Sequence, residues 1–149
     1  MNALATLSGL SGIEQLRAIF SGRTGYEGIV KTFALNPVSV EEGLVVFEGS
    51  PTEAVYNPLG VVHGGYAATL LDTVMGCAVH SRLQVGQGYT TLELKVSYQR
   101  PLTDTSGPAR AEGRVISLGK RAAFAQGNLF DKDGRLCATG TTTCLVFNP

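Results

Sequence analysis

A polar, glycine-bearing turn runs without interruption into an apolar helix near the middle of the chain, in the sequence NPLGVVHGGYAATLLDTVMGCAV (residues 57–79). Gly64 and Gly65 have no side chains, so a ligand can approach the backbone where the helix begins. The first amide hydrogens of a helix have no partner inside it. Together with the positive end of the helix dipole, these amides suit an oxygen atom that gains negative charge.

A single acid interrupts the apolar helix. Asp72 is the only formally charged residue between Gly65 and Arg82. Ionised carboxylates are seldom buried unless they are paired or functional. A satisfied structural acid or an exposed position would also account for Asp72, but an acid among apolar neighbours favours a chemical role.

The spacing between the turn and the acid predicts a dimer. Gly65 and Asp72 are seven residues apart in the sequence, which places them roughly 10 Å apart along one helix axis. One acyl group could not easily touch both within one chain. If both act on the same carbonyl carbon, two copies of the helix must lie antiparallel across a dimer axis, forming two composite sites.

The order of these residues resembles that of the hotdog-fold acyl-CoA thioesterases, in the branch related to phenylacetic acid degradation (PaaI-like). The resemblance rests on Asn-x-x-Gly-x-x-His-Gly-Gly, followed by an acid seven residues past the second glycine, and it covers about residues 38–147. Further landmarks are TTLELKVSYQRP (residues 90–101) and GKRAAFA (residues 119–125). One branch of these enzymes carries Glu at the position of Asp72. Aspartate with an upstream Asn favours the phenylacetate type.

The resemblance implies an α+β hotdog fold, in which an antiparallel β-sheet wraps around one long central helix. We predict one domain over residues 1–149, with an N-terminal helical segment (1–25) and a hotdog core (26–149). Ser11-Gly12-Ile13-Glu14 has the form of a capping box. The short amphipathic helix that follows is expected to pack on the domain or close over its ligand.

Alternating and apolar runs predict the strands. In residues 89–100, the side chains of Leu92, Leu94, Val96 and Tyr98 are expected to share one face. A turn of sequence Asp-Lys-Asp-Gly predicts a hairpin between the last two strands. The predicted strands are residues 31–35, 44–49, 89–100, 109–117, 122–130 and 136–147, with a short extended piece at 53–56.

The resemblance also assigns roles to residues of the motif. The backbone amides of Gly64 and Gly65 would hold the oxyanion that forms when an oxygen attacks a thioester carbonyl. Asp72, supplied by the partner chain, would either activate a water as general base or attack directly to form a mixed anhydride. Asn57 would orient the water or the thioester, or else start an Asn-Pro turn. His63 would fix the turn or touch the thioester, or be purely structural.

The remaining candidates are hydroxyl and basic side chains. Thr90 or Thr91 falls where relatives place a small hydroxyl beside the acid, and the strand register decides which of the two faces inward. Basic groups would meet the nucleotide end of CoA, and the candidates are Arg100, Lys120 and Arg121. Each of these three could equally be a solvated surface charge.

Composition argues against several other classes of protein. Twelve basic and twelve acidic residues cancel, so no general field attracts nucleic acid or membrane. Three widely spaced cysteines and two histidines are too few for a convincing metal site, and no cofactor is expected beyond the CoA of the substrate. We also expect neither a secretory signal nor a membrane span, and hence a cytoplasmic location.

We therefore predict a thioesterase for aryl- or medium-chain acyl-CoA, acting as a homodimer that assembles into a homotetramer. A hotdog dehydratase or hydratase is one alternative, but those relatives pair a histidine with an acid, and His63 lies nine residues before Asp72 rather than in their motif. A non-catalytic acyl-CoA-binding module is the other. It is disfavoured because the chain has no DNA-binding appendage and keeps the acid.

Overall fold

The chain folds into one six-stranded antiparallel sheet with a long helix packed against it. The computed structural model describes residues 4–24 and 27–148. The sheet order is β1-β2-β4-β5-β6-β3, so β1 and β3 are its edge strands. The elements are α1 (Gly12–Phe20), α2 (Gly28–Thr32), β1 (Leu35–Glu41), β2 (Leu44–Gly49), α3 (Gly64–His80), β3 (Gly88–Tyr98), β4 (Ala109–Leu118), β5 (Ala122–Phe130) and β6 (Leu136–Phe147). The predicted α+β hotdog architecture is confirmed.

A row of glycines lets α3 lie close to the sheet. Gly113, Gly127 and Gly140 are register partners across the neighbouring strands β4, β5 and β6. A Cβ atom added to Gly113 would lie 2.3 Å from the carbonyl oxygen of Val74. Added to Gly127 or Gly140, it would lie 3.1 Å from the side chain of Met75. The middle of α3 is therefore positioned by direct contact with the sheet backbone.

The N-terminal helix α1 is attached to the far end of α3. The predicted capping box is present, since the Glu14 carboxylate accepts a hydrogen bond from the backbone N–H of Ser11 at 2.8 Å. The Gly12 amide donates to the Leu83 carbonyl at 3.0 Å. The Oε1 atom of Gln15 lies 2.8 Å from Nε2 of the buried His80. These contacts hold α1 against the domain.

Two local predictions in the first third of the chain are wrong. Residues 31–35 are not a strand, because α2 continues to Thr32 and β1 begins only at Leu35. Ala34 separates them with φ of 51°, a left-handed conformation that ends a helix. The piece at 53–56 is not extended. It contains a 3₁₀ turn, Glu53–Val55, capped by the Thr52 side chain, which accepts from the Ala54 amide at 3.3 Å.

A β-bulge corrects the predicted face of strand β3. Thr91 pairs with Cys144 but Glu93 pairs with Thr143, so Leu92 is the extra residue between them. Leu92 is 60% exposed, contrary to the expectation that it shares a face with Leu94. The bulge breaks the simple alternation and turns Thr91 towards α3.

Within residues 4–24 and 27–148, no helix has the length and apolar character that crossing a bilayer requires.

Candidate active site

The N-terminal end of α3 presents one free amide. His63 is the N-cap residue, and its Nδ1 atom accepts a hydrogen bond from the Gly65 amide at 2.9 Å. The imidazole must therefore carry its proton on Nε2 when this bond is present. In the described part of the chain, no acceptor meets the Gly64 amide. Gly64 thus offers an unused donor at the positive end of the helix dipole.

This free amide borders a cavity of about 330 Å³. His63, Gly64, Tyr98 and Arg100 line it, above an apolar floor that includes Leu129. The Tyr98 hydroxyl donates to the Gly64 carbonyl at 2.9 Å, and a Cβ added to Gly64 would lie 3.1 Å from the Tyr98 ring. The cavity therefore combines hydrogen-bond donors with a cationic side chain.

Tyr98 is absent from the residues proposed for the site from sequence. Its position in the alternation with Val96 predicts only that it faces the helix. Its hydrogen bond to Gly64 joins residues 34 positions apart, which no local pattern reveals.

Asp72 lies in the middle of α3 and is paired with a hydroxyl group. The Thr91 hydroxyl donates to Oδ1 of Asp72 at 3.1 Å, and both side chains are half-buried. Thr90 is exposed. The structure therefore brings Thr91 to the acid and leaves Thr90 away from it.

A second cavity, of about 440 Å³, opens beside Asp72. Thr73, Thr91 and Tyr89 contribute hydroxyl groups, and most of the remaining lining is apolar. Cys77 also lines it. Burial, together with the negative charge of Asp72, raises the pKa of the Cys77 thiol to about 12. Cys77 therefore stays a neutral thiol at physiological pH and is a poor nucleophile.

The two cavities are separate within one chain. They share no lining residue, and Gly64 and Asp72 are eight residues apart on α3, about 12 Å along its axis. A single chain therefore does not bring the free amide and the acid together.

The other predicted site residues are dispersed. Oδ1 of Asn57 accepts from the Leu59 amide at 2.9 Å, as in an Asn-Pro turn, which leaves the side-chain NH₂ available as a donor. Arg100 lines the cavity at the start of α3. Lys120 and Arg121 are exposed in the β4–β5 turn at the opposite end of the sheet.

The described ranges contain no group of three or more His, Cys, Asp or Glu side chains that could hold a metal ion.

Comparison with known proteins identifies the family. The thioesterase superfamily matches residues 59–138, a span that includes the turn, α3 and most of the sheet. The chain belongs to the thioesterase superfamily. Among its superfamily relatives, the proofreading thioesterase EntH of Klebsiella pneumoniae is 31% identical over 100 residues, which is 67% of this chain and 72% of EntH.

Two solved structures show the same fold. A phenylacetic acid degradation-related protein from Ralstonia eutropha superposes with a TM-score of 0.79 at 29% identity, covering 87% of this chain and 97% of that protein. A Streptococcus mutans protein bound to acetyl-CoA superposes with a TM-score of 0.69 at 23% identity, covering 76% of this chain and 89% of that one. The predicted PaaI-like hotdog family and thioester hydrolase class are confirmed.

Proposed function

We propose that this thioesterase hydrolyses aryl- or medium-chain acyl-CoA in active sites that are each built from two chains. In each site, one chain supplies the Gly64 amide and its partner supplies Asp72 and Thr91. The observation that carries the proposal is that the free amide and the acid lie in separate cavities of one chain. The acetyl-CoA bound to the Streptococcus mutans protein of the same fold supports a CoA thioester as the ligand.

Strand β3 supports the dimer because, among residues 4–24 and 27–148, it pairs with a strand on one side only. A long open edge is a liability that proteins usually cover. Helix α3 runs antiparallel to β3, since Gly64 contacts Tyr98 at the end of the strand and Asp72 contacts Thr91 near its start. If two β3 strands pair antiparallel about a twofold axis, each Gly64 turn approaches the partner's Asp72.

The chemistry follows from the charges in such a composite site. When a water oxygen attacks the thioester carbonyl carbon, the carbonyl oxygen becomes an oxyanion, which the Gly64 amide stabilises; one such donor contributes about 3 to 4 kcal/mol in other enzymes. Asp72 takes the proton from the water. The intermediate then expels the CoA thiolate, which leaves as the thiol after protonation, and the carboxylic acid is released.

Direct attack by Asp72 is the other route. A carboxylate oxygen bonds to the acyl carbon, the carbon–sulfur bond breaks, and water then hydrolyses the mixed anhydride. In both routes the Thr91 hydroxyl fixes one carboxylate oxygen at 3.1 Å and leaves the other to react.

The remaining predicted residues fit supporting roles. We propose that His63 fixes the turn by engaging the Gly65 amide, and that the Asn57 NH₂ group donates to the thioester. Arg100 would contact phosphate at the mouth of the cavity beside Gly64. Antiparallel pairing of β3 would bring Lys120 and Arg121 of the partner to the same side. The homotetramer and the cytoplasmic location stay predictions.

Two variants of Gly64 test the role of its amide. Gly64→Pro removes the N–H at the first position of a helix, where proline is well tolerated, and His63 already has the extended backbone that precedes proline (ψ 136°). Gly64→Ala keeps the N–H and adds the same contact with Tyr98. We expect Gly64→Pro to lose at least about a hundredfold in kcat by free-thiol release, and Gly64→Ala to lose much less.

Complementation tests whether the site is shared. A heterodimer of one Gly64→Pro chain and one Asp72→Asn chain contains one intact composite site and one doubly damaged site. We expect the differentially tagged, co-expressed heterodimer to recover about half of the wild-type rate, as twofold symmetry requires, while each parent homodimer stays nearly inactive. A heterodimer as inactive as its parents would place both groups in one chain and refute the shared site.

Hydration of an enoyl-CoA without thiol release would favour the dehydratase.

A further inference from the structure

The cavity beside Asp72 is covered by the two N-terminal helices. Leu16, Ile19 and Phe20 of α1 and Ile29 and Val30 of α2 line it. Its volume of about 440 Å³ falls within the roughly 300–1,000 Å³ of small-molecule pockets. Most of the lining is apolar, and the Thr91 hydroxyl is bonded to Asp72.

The cover is fixed to the domain at both ends of α1. At its C-terminal end, the Phe20 ring packs edge-on against Phe47 of β2, with ring centroids 5.3 Å apart. At its N-terminal end, the Gly12 amide donates to the Leu83 carbonyl at 3.0 Å. One turn further, Oε1 of Gln15 lies 2.8 Å from Nε2 of His80. The apolar space between α1, α2 and α3 is therefore a formed pocket with defined walls.

Tyr89 forms the end of this pocket. The same side chain lines a further cavity of about 380 Å³, whose other walls include Gln15, His80 and Phe147. The Tyr89 ring stands edge-on to His80, with centroids 5.8 Å apart. A Cβ added to Gly76 would lie 2.6 Å from the Tyr89 hydroxyl. The glycine makes room for the ring, and the ring separates the two cavities.

We propose that the acyl chain of the substrate extends from Asp72 into this pocket and that Tyr89 sets the upper limit of its length. This inference rests on the proposed function, because it takes the thioester carbonyl to be held at Asp72. An acyl tail leaving that carbon must enter apolar space, and the pocket adjoins the acid. Val30 and Tyr89 are then specificity-determining residues, and the preferred substrate is a medium-length acyl-CoA.

Chain-length profiles of three variants test the inference. Tyr89→Ala joins the two cavities, Tyr89→Phe keeps the ring and removes only the hydroxyl, and Val30→Phe fills the pocket. The quantity to measure is kcat/KM for acyl-CoA thioesters of increasing chain length, with phenylacetyl-CoA as a short aryl substrate. Each methylene that enters the pocket should raise kcat/KM about fourfold, corresponding to about 0.8 kcal/mol.

The expected profiles differ in direction. The optimum moves to longer chains in Tyr89→Ala, stays in place in Tyr89→Phe, and moves to shorter chains in Val30→Phe. Val85→Phe is the matched control, since Val85 is 57% exposed in the loop after α3 and should leave the profile unchanged. Equal loss for all substrates, or no shift in Val30→Phe, would overturn the inference. If Tyr89→Ala does not fold, Val30→Phe alone decides the outcome.

A binding measurement separates this inference from the proposed function. S-alkyl-CoA thioethers cannot be hydrolysed, and their affinities can be measured by calorimetry on the wild-type protein and on Val30→Phe. Affinity that rises with alkyl length in the wild type and stops rising earlier in Val30→Phe supports the pocket, even if no acyl-CoA is hydrolysed. Affinity independent of alkyl length refutes the pocket, even if hydrolysis is observed.

Discussion

The first turn and the middle of helix α3 differ in their environment and in the contacts that hold them in place. At the first turn, His63 and Gly65 are exposed, and the adjoining cavity carries Arg100. In the middle, Asp72 is half-buried beside an apolar pocket. One helix therefore offers an unused amide donor beside a cavity with a cationic side chain, and an acid beside a mostly apolar pocket. In the proposed composite site, the polar CoA lies at the first turn and the acyl chain at the middle.

The two regions are also fixed by different forces. The middle rests on the glycine row Gly113, Gly127 and Gly140, where an added Cβ would collide with α3 at Gly113 and crowd Met75 at the other two. The first turn is held by hydrogen bonds from side chains, through His63 and Tyr98. The middle should therefore be sensitive to added atoms, and the first turn to lost hydrogen bonds.

The largest expected effect comes from adding one methyl group under the middle of α3. In Gly113→Ala the new Cβ would lie 2.3 Å from the Val74 carbonyl oxygen, so the helix must move off the sheet. We expect the free energy of unfolding in urea to fall by about 3 kcal/mol. Gly9→Ala, where nothing lies within 4 Å of the new Cβ, is the control. Equal stability of the two variants would mean that the glycine row does not position α3.

We expect the free energy of unfolding to fall in acid because of His80, at the C-terminal end of α3. Burial lowers the pKa of His80 to about 4 from an ordinary 6.5, so the unfolded chain binds a proton at a higher pH than the folded one. The contribution of neutral His80 to the free energy of unfolding is then complete above pH 6.5. It is lost as the pH drops towards 4, by on the order of 3 kcal/mol. We expect denaturation curves of the wild type to follow this slope and those of His80→Gln to lose most of it. An unchanged slope in His80→Gln would assign the effect to other groups.

A smaller effect is expected when the hydroxyl beside the acid is removed. Thr91→Val keeps the shape of the side chain but loses the 3.1 Å hydrogen bond to Asp72. Hydrogen bonds to charged groups contribute about 1.5 to 3 kcal/mol, so kcat should fall at least about tenfold while folding persists. The exposed Thr90 provides the matched Thr90→Val control, which should retain nearly full kcat. The reverse ranking would contradict the inward position of Thr91.

The smallest expected effect concerns the first turn. Tyr98→Phe keeps the ring against Gly64 and removes the 2.9 Å hydrogen bond to its carbonyl. A net loss of about 1 kcal/mol corresponds to about a fivefold decrease in kcat/KM. Thr143→Val loses a hydrogen bond to Glu93 on the exposed face of the sheet and should leave kcat/KM unchanged. Full activity in Tyr98→Phe would show that the turn holds its geometry without this bond.

The elements that could be predicted from sequence are those with a strong local signal. The glycine turn and apolar run predicted α3, the capping box at Ser11 predicted α1, and the Asp-Lys-Asp-Gly turn predicted the β5–β6 hairpin. In each case the residues that specify the element lie within it or next to it. Apolar residues near 31–35 misled the prediction of a strand because so short a run fits one turn of helix equally well.

The site was predicted less completely because its contacts are long-range. The motif indicated Gly64 and Asp72, but the choice between Thr90 and Thr91 depends on a bulge that the sequence pattern does not show. The sequence pattern predicts Tyr89 and Tyr98 only as residues of a strand. The roles proposed for them rest on their contacts with Gly76 and Gly64, and those contacts depend on how α3 packs on the sheet.

The glycine row lets α3 lie directly on the sheet, and the other side of α3 faces the helices α1 and α2. A side chain at Gly113 would meet the backbone of α3, so the helix that carries Asp72 tolerates little change on its sheet side. Helices α1 and α2 line the pocket beside Asp72 on the other side and make few contacts with the sheet. Transplanting this helical pair from a relative is therefore the economical way to engineer new acyl preferences while the reaction itself is retained.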